Sequence, residues 1–151
     1  MPPLTFKLIS YEKQLNSQQK EAYNFQKVSA VLADFGFLTI PLSNDWNGAD
    51  FIAQMYDGIT FIPVQLKSRL TFDLKYYGKR LYICFRDGNS DHASWYMYDH
   101  DELLDKVMAE GQIEGTKTWE LKKPYHFPVL SAHMKDLLEP YRIPFATGPV
   151  H

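Results

Sequence analysis

The pair Asp57-Gly58 lies between two apolar runs and constrains the fold of this chain more than any other feature. The runs cover residues 50–56 and 59–67. An Asp-Gly pair flanked by such runs is a strong signal for a β-hairpin with a two-residue turn. The sequence therefore predicts an antiparallel pair of strands in the middle of the chain.

A hairpin with this turn brings three polar residues together on one face. Asp50 lies directly opposite Gln65, with Cβ atoms about 5 Å apart, and Lys67 lies two residues further along the same face. Pro63 leaves an alternative open, because proline cannot donate a ladder hydrogen bond and a bulge there would shift the pairing by one residue. In the unshifted register, a carboxylate, an amide oxygen and an amine converge.

Length and composition set the size of the fold. With 151 residues, 45% of them apolar, the chain can bury one sizeable core, so we expect a single domain over residues 1–151. The only cysteine, Cys84, lies in an apolar run that is typical of a buried strand. The first residues resemble neither a secretory signal nor a membrane span, which favours a cytoplasmic protein with no membrane partner.

Charge is distributed unevenly along the chain, although the net charge is only −2. A basic strip between positions 67 and 86 contains one acid, Asp73, whereas residues 99–110 carry five acids and one lysine. The basic residues of the strip are Lys67, Arg69, Lys75, Lys79, Arg80 and Arg86. Such a strip suits a phosphate backbone or forms a solvated edge that prevents sheet aggregation, and spacing alone does not choose between the two.

A helix precedes the hairpin. A three-four spacing of apolar residues predicts one buried stripe on a helix over residues 17–35, with Ser17 as its cap and Gly36 after its end. The stripe consists of Phe25, Val28, Leu32 and Phe35. Glu21 precedes the stripe by one turn on the same side, so its carboxylate is expected to point toward whatever the helix covers. An interaction with the helix dipole is the alternative role for this glutamate.

The remaining patterns complete a mixed sheet. A capping box of Asp99 and Glu102 opens one helix, and Ser131 begins another that Pro140 ends. Before the hairpin, we expect a strand over residues 37–40 and a loop over 41–45. After the hairpin, we expect a basic loop around 76–78 and then two strands, over 80–86 and 94–98, which are separated by a polar loop over 87–90. The last expected elements are a helix over 102–109, a flexible connection over 111–123 and an edge strand over 125–127.

The order of these features resembles the PD-(D/E)XK nuclease superfamily, especially bacterial members in which a Q-x-K motif replaces the second acid. The matching features are a helix with Glu21, a strand, a hairpin with Asp50, and Gln65-x-Lys67, and they span residues 17–98. The resemblance implies an α/β, restriction-endonuclease-like fold with a mixed central sheet flanked by helices. Two features depart from the pattern: a basic loop replaces the helix between the third and fourth strands, and Glu21 stands one turn early.

The resemblance also implies a site for Mg²⁺ or Mn²⁺. Asp50 and Gln65 are the implied metal ligands, because Mg²⁺ prefers oxygen donors and keeps several waters. Gln65 is neutral and binds metal more weakly than a glutamate would, so Glu21 or Asp45 is expected to help as a second carboxylate. Lys67 is the implied catalytic lysine, which orients or deprotonates the attacking water and stabilises charge on the phosphate.

Nucleic acid contacts are expected around this site. Trp46 and Asn47 precede Asp50, and the tryptophan either stacks on a base or plugs the end of the hairpin. The residues expected to contact phosphates are Ser68, Arg69, Lys75, Lys79 and Arg80.

Two other residue groups have structural interpretations. The aromatic residues Trp95, Tyr96 and Tyr98 are expected to pack within a strand. The histidines His92, His100, His126 and His133 lack the spacing of a zinc site.

Two functions from different classes follow. The first is a divalent-metal-dependent DNA endonuclease that hydrolyses phosphodiester bonds and acts as a homodimer or higher oligomer, since a small domain needs a symmetric partner to reach both strands. The second is a catalytically inactive nucleic-acid- or protein-binding domain on the same scaffold. In that case Asp50 ends a turn, the Gln65 side chain lies on an exposed face of the sheet, and Lys67 keeps the end of a strand in contact with solvent. The acidic net charge and the missing second acid favour the second function.

Overall fold

A computed structural model describes residues 1–88, 92–113 and 115–146 of the chain, without the side chains of Asp45 and Lys117. Part of the predicted polar loop over 87–90 therefore lies outside the described residues. The helices are Tyr11–Gln14 (α1), Ser17–Ala33 (α2), His100–Ala109 (α3), Lys117–Glu120 (α4) and Ala132–Leu138 (α5), with 3-10 turns at Leu74–Tyr76 and Glu139–Tyr141. The strands are Phe37–Trp46 (β1), Ala49–Met55 (β2), Phe61–Lys67 (β3), Leu70–Phe72 (β4), Tyr82–Asp87 (β5), Ser94–Asp99 (β6) and Tyr125–Phe127 (β7).

Five strands form the central sheet in the order β1-β2-β3-β5-β6. The β3–β5 pair is parallel, and the other three pairs of this sheet are antiparallel. A separate antiparallel pair joins β4 to β7. The predicted α/β fold class, a mixed central sheet flanked by helices, is confirmed.

Two apolar clusters cover the two faces of this sheet. On the back face, Val28 and Leu32 of α2 pack with Phe51 and Val64. On the opposite, front face, side chains of β5 and β6 pack with residues of β4, α3 and α5. The predicted stripe is confirmed for Val28 and Leu32, which are buried, and for Phe25, which is partly buried against the same cluster, whereas Phe35 lies beyond the end of α2 and is exposed.

The N-terminus of α2 is capped one residue earlier than predicted. The Asn16 side chain accepts a hydrogen bond from the Gln19 N–H at 2.8 Å, and the Gln19 side chain accepts one from the Asn16 N–H at 3.0 Å. This reciprocal capping box satisfies two backbone donors, so Asn16 is the cap and Ser17 is the first helical residue.

The predicted register of the β2–β3 hairpin is confirmed. Phe51 pairs with Val64, and the register runs without a shift to the end of β2. Continued by one residue, it places Asp50 opposite Gln65. The period of two then puts these side chains on the front face, opposite to Phe51.

Pro63 causes no bulge in this hairpin. It pairs with Ile52, and the Met55 N–H donates to the Thr60 carbonyl at 2.9 Å, so the alternation of antiparallel pairs makes Ile52–Pro63 a pair without ladder hydrogen bonds. The ladder between β3 and β5 begins at Val64, one residue later. The missing N–H of Pro63 therefore removes no hydrogen bond from either ladder.

The predicted two-residue turn at Asp57-Gly58 is wrong in type. A two-residue type I′ turn needs a positive φ angle at both residues. Here φ is +72° at Gly58, but the φ angle of Asp57 is not positive. The loop instead covers residues 56–59. The Asp57 carboxylate accepts hydrogen bonds from the backbone N–H groups of Thr60 and Ile59, at 2.9 and 2.8 Å, and these bonds lower the pKa of Asp57. Both loops are centred on the same two residues, so the register is unchanged.

A second hairpin, between β1 and β2, turns at Asn47-Gly48. Both residues have positive φ, +52° and +88°, and Trp46 pairs with Ala49, which defines a two-residue turn of the type I′ kind. The strand β1 therefore continues to Trp46, and the predicted loop over residues 41–45 is wrong. The Asn-Gly pair is itself a strong hairpin signal in the sequence.

Several later predictions also change. The connection over 111–123 contains α4, and Ile113 is fully buried in the front cluster. The basic loop after β3 consists of β4 and a 3-10 turn, and β4 pairs with the predicted edge strand β7.

The helix near Asp99 is confirmed, with the Asp99 side chain accepting from the Glu102 N–H at 3.1 Å. Ser131 caps α5 as expected. Among the described residues, no helix is long and apolar enough to cross a lipid bilayer.

The glycine of the Asn47-Gly48 turn is expected to be indispensable for stability. A Cβ at Gly48 would lie 3.0 Å from ring carbons of Tyr76 and 3.2 Å from the Leu81 side chain, in addition to the strain of φ +88°. Gly48→Ala should therefore lower the free energy of unfolding by roughly 2–4 kcal/mol, measured by urea denaturation.

Gly78→Ala is the matched control for this substitution. Gly78 has φ +78°, but nothing lies within 4 Å of its added Cβ, so the control should lose roughly 1 kcal/mol from backbone strain alone. Equal losses in the two variants would contradict the packing of Tyr76 against the turn.

Candidate active site

Asp50 is fixed to the neighbouring strand through its own carboxylate. It is exposed on the front face near the start of β2, and its Oδ2 accepts a hydrogen bond from the Leu66 N–H at 2.8 Å. The paired register of β2 and β3 ends at Phe51–Val64. The Asp50 carboxylate is therefore the acceptor for a backbone N–H of β3 that lies just beyond the paired residues.

Asp50, Gln65 and Lys67 lie on the front face together. Continued by one residue, the register makes Asp50–Gln65 a position without ladder hydrogen bonds, next to the last paired residues Phe51 and Val64. In β5, Ile83 is the partner of Gln65 and Phe85 is the partner of Lys67, and both partners belong to the front cluster. Gln65 and Lys67 are partly buried. The register thus assigns the acid, the amide and the amine to one face of the sheet.

The Lys67 amine lies against an aromatic ring. Its Nζ is 5.6 Å from the centre of the Tyr76 ring, and the Nζ of Lys75 is 5.1 Å from the same ring. Burial, and after it the charge of Lys75, lowers the pKa of Lys67, while the carboxylates of Asp50, Asp73 and Glu21 act in the opposite direction. A lysine with a lowered pKa releases its proton more readily than an exposed lysine does.

A buried histidine holds the segment that carries Tyr76. The Nε2 atom of His100 accepts a hydrogen bond from the Asp73 N–H at 3.1 Å, and its Nδ1 lies 2.8 Å from the Asp101 Oδ1. The other oxygen of Asp101 accepts from the Gly78 N–H at 2.8 Å. The Tyr76 ring packs edge-on against His100, with ring centres 5.6 Å apart. His100 and Asp101, at the start of α3, thus fix both ends of the segment from 73 to 78.

These contacts also indicate the tautomer of the histidine. An Nε2 that accepts a hydrogen bond carries no proton, so the ring hydrogen is on Nδ1 and is donated to Asp101. Sequence analysis considered His100 only as a zinc ligand and missed this role. The partner Asp73 is 27 residues away along the chain, and no local pattern marks such a contact.

His126 is a second histidine that sequence analysis missed. It lies on β7 opposite Thr71 of β4, with its Nδ1 2.9 Å from the Thr71 Oγ1. Burial, followed by the positive charges of Arg69 and Lys67, lowers the pKa of His126. The histidine is therefore within electrostatic range of the candidate site, where the β4–β7 pairing places it.

Glu21 lies differently from its prediction. Its side chain is exposed, because the buried residues of α2, Val28 and Leu32, lie in the second half of the helix. The expectation that its carboxylate points toward the covered face is wrong. Its charge nevertheless raises the pKa of Lys67, which places the two groups within electrostatic range. The side chain of Asp45, the other expected acid, lies outside the described structure.

The oxygen atoms at the site suit a hard divalent cation. Asp50 supplies a carboxylate and Gln65 an amide oxygen on the same face, and ions such as Mg²⁺ prefer oxygen donors and retain waters. In the part of the chain that the structure describes, no three His, Cys, Asp or Glu side chains form a group that could hold a metal. Among the described side chains of the site, Asp50 is thus the carboxylate that a cation would use, supplemented by neutral oxygens and water.

The residues expected to contact nucleic acid are all exposed, whereas one residue of the basic strip, Arg86, is buried. The exposed residues are Trp46, Asn47, Ser68, Arg69, Lys75, Lys79 and Arg80. The Trp46 side chain is 60% exposed and does not plug the hairpin end. Arg86 is buried: its guanidinium donates to the Asn24 Oδ1 at 3.3 Å and lies over the Trp95 ring. The strip available to a ligand therefore excludes Arg86.

Comparisons with known proteins add one structural similarity. Neither a protein-family model nor a curated protein sequence matches the chain. A solved structure similar to it is that of Archaeoglobus fulgidus Hjc, a Holliday junction resolvase from an archaeal hyperthermophile, with 12% sequence identity and a TM-score of 0.39. The match covers 52% of this chain and 76% of the Hjc chain.

The lowered pKa of Lys67 predicts a stability cost that depends on pH. Because the folded protein holds this proton less tightly than the unfolded chain, the cost is fully present below the folded-state pKa. The cost disappears as pH rises from that pKa to the ordinary value of 10.5. Lys67→Met, which keeps the apolar contacts, should therefore melt at a higher temperature than wild type at pH 7, with the difference shrinking toward pH 10.

Lys79→Met is the control for the thermal melts, since Lys79 is exposed in the same strip. It should change the melting temperature little at any pH. A lower melting temperature of Lys67→Met at pH 7 would show that the charged amine stabilises the fold, contrary to the direction of its pKa shift.

Proposed function

We propose that this protein is a divalent-metal-dependent DNA endonuclease that hydrolyses phosphodiester bonds. The observation that carries the proposal is the convergence of Asp50, Gln65 and Lys67 on one sheet face, where burial lowers the pKa of the lysine. A single carboxylate, a neutral oxygen and an activated amine form a set that serves hydrolysis of a phosphodiester.

Asp50 and Gln65 are proposed to hold Mg²⁺ or Mn²⁺. The hydrogen bond from the Leu66 N–H fixes one oxygen of Asp50 and so orients the carboxylate before a cation arrives. Gln65 adds a neutral oxygen from the opposite strand. Glu21 is proposed as an auxiliary acid that acts by its charge. When bound, the cation would polarise the phosphate and stabilise the charge that builds on it.

Lys67 is proposed to act on the attacking water and on the phosphate. Desolvation lowers the pKa of Lys67, so a larger fraction of this amine than of a solvated lysine is unprotonated and able to accept a proton at a given pH, and its protonated form donates hydrogen bonds to a phosphate oxygen. The amine lies 5.6 Å from the centre of the Tyr76 ring, the charge of Lys75 repels it and the charge of Asp50 attracts it. The amine is therefore positioned before substrate binds, and little reorganisation is needed during reaction.

DNA is the proposed substrate, bound along the exposed basic residues. Arg69, Lys75, Lys79 and Arg80 are exposed, whereas Arg86 is buried, and Lys75 is close enough to Lys67 to lower its pKa. Trp46, exposed beside the turn before Asp50, offers a ring on which a base can stack. We propose a homodimer as the active form, because a symmetric partner lets two such sites reach both strands.

A catalytically inactive binding domain is the second candidate. It is favoured by the neutral Gln65, which leaves one carboxylate directly beside the lysine, and by the absence of a group of three metal-binding side chains among the described residues. Such a domain would use the basic residues to bind DNA and would not need a cation.

Metal binding separates the roles of the two proposed ligands. Asp50→Asn should abolish Mg²⁺ binding, because it removes the only charge of the donor pair but keeps an oxygen that can accept from the Leu66 N–H. Gln65→Glu should preserve or tighten binding by adding a charge. Titration calorimetry measures both effects, with Asp105→Asn on the exposed side of α3 as the unaffected control. Mg²⁺ affinity that persists in Asp50→Asn would place the ion elsewhere.

Catalysis separates an active nuclease from a binding domain. Lys67→Ala should fold and bind metal as wild type does, yet cleave DNA roughly a hundredfold more slowly or worse, the usual scale for one preorganised electrostatic group. The assay is cleavage of plasmid and branched DNA in Mg²⁺ and Mn²⁺, with binding followed in Ca²⁺.

Lys79→Ala provides the comparison for this assay. A lysine that contacts phosphate for affinity alone should weaken binding about equally on all sequences and lower the salt slope by roughly one unit, leaving the cleavage rate at saturation intact. If purified wild type binds these DNAs and cuts none of them in either metal, the binding domain becomes the better description.

A further inference from the structure

Part of the front face of the sheet is apolar and uncovered. Leu38, Ile40 and Phe61 are 65%, 39% and 55% exposed. Leu38 pairs with Gln54 and Gln54 with Phe61, while Ile40 pairs with Ile52 and Ile52 with Pro63, so these residues form two adjacent rows across β1, β2 and β3. The apolar patch is defined here as Leu38, Ile40, Ile52, Phe61 and Pro63. Among the described residues, the clusters that cover the sheet include none of the five.

The apolar patch lies directly beside the candidate site. The next row along the strands is Asp50–Gln65, about 7 Å from the Ile52–Pro63 row, because residues on one face repeat every second position. An exposed apolar surface of several large side chains at such a place marks an interaction site more often than a solvated surface.

The N-terminal segment of the chain has a complementary character. In residues 4–9, here called the arm, Leu4, Phe6 and Leu8 are 79%, 91% and 104% exposed. They alternate with Thr5 and Lys7, the period of a strand, and Ile9, which is 52% exposed, ends the segment on the side of these two polar residues. The arm forms no helix or strand in the protomer, and its exposure shows that it does not cover the apolar patch of its own chain.

The two surfaces match in size. An arm of six residues spans roughly 20 Å when extended, enough to cross three strands that are about 5 Å apart. Each large apolar side chain removes on the order of 100 Å² from water, so three from the arm and three from the patch bury roughly 600 Å². A reciprocal exchange doubles this to roughly 1,200 Å², which reaches the range of stable interfaces.

We propose that this chain dimerises by exchanging arms, with the arm of each copy covering the apolar patch of the other. Leu4, Phe6 and Leu8 then face the patch, and Thr5 and Lys7 face solvent. The exchange specifies the surface of the homodimer proposed above, but it follows from exposure and strand register and does not depend on nuclease activity.

The oligomeric state of full-length variants tests the exchange. By sedimentation at tens of micromolar, wild type should be a dimer, and both Phe6→Ser/Leu8→Ser and Leu38→Ser/Phe61→Ser should be monomers with unchanged far-UV circular dichroism, because these side chains are exposed in the protomer. Leu121→Ser/Val129→Ser, which changes two exposed apolar residues outside both surfaces, should remain a dimer. A monomeric wild type, or an arm variant that stays dimeric, overturns the proposal.

Disulfide crosslinking tests which surfaces meet. Leu8→Cys in a tagged chain and Phe61→Cys in an untagged chain should form a tagged–untagged disulfide after mixing and mild oxidation. The native Cys84 is buried and does not compete. A doubly substituted single chain that crosslinks only to itself would show the arm folding onto its own patch, which also overturns the exchange. Both readouts are molecular masses, so they are independent of any failure to cleave DNA.

Discussion

The candidate site depends on one hydrogen bond, from the Leu66 N–H to the Asp50 carboxylate. It lies where two hairpins meet, just beyond the last paired residues of β2 and β3. The turn at Asn47-Gly48 brings β2 back along β1 and fixes where Asp50 begins to face β3. The Asp57 loop at the other end fixes which residue of β3 it faces. A shift of one residue in either hairpin would turn Asp50 to the back face or remove its partner.

The sequence predicted those parts of the fold that depend on local patterns. The register of the hairpin followed from the position of Asp57-Gly58, and it survived an error in turn type because the longer loop has the same centre. The α2 stripe and the caps at Asp99 and Ser131 likewise rest on residues a few positions apart. The Asn47-Gly48 turn belongs to the same class of local signal, although the predicted loop over residues 41–45 took the place of the end of β1.

The rest depends on contacts between distant residues. Asp73 and His100 are 27 residues apart, and Thr71 and His126 are 55 apart. A buried histidine that accepts from one backbone N–H and is paired with a neighbouring aspartate has no spacing rule of its own, because its partners are chosen by the fold. The same holds for Arg86, which the sequence placed in a basic strip. Arg86 is buried because it contacts Asn24 of α2 and the Trp95 ring, and the contact with Asn24 depends on the packing of α2 on the back face.

The site lies at the boundary between the covered and the open part of the front face, and this position sets the chemistry of Lys67. Toward β5 the lysine neighbours buried Phe85 and lies against Tyr76, which His100 holds, while beyond Asp50 the face is open. Deeper burial would make the charged amine too costly to keep, and full exposure would restore an ordinary pKa and leave the amine mobile. Partial burial satisfies both demands, since it lowers the pKa while Asp50 still attracts the proton. The segment from 73 to 78 provides that partial cover, so the tuning of Lys67 is tied to the His100–Asp101 pair that holds the segment in place.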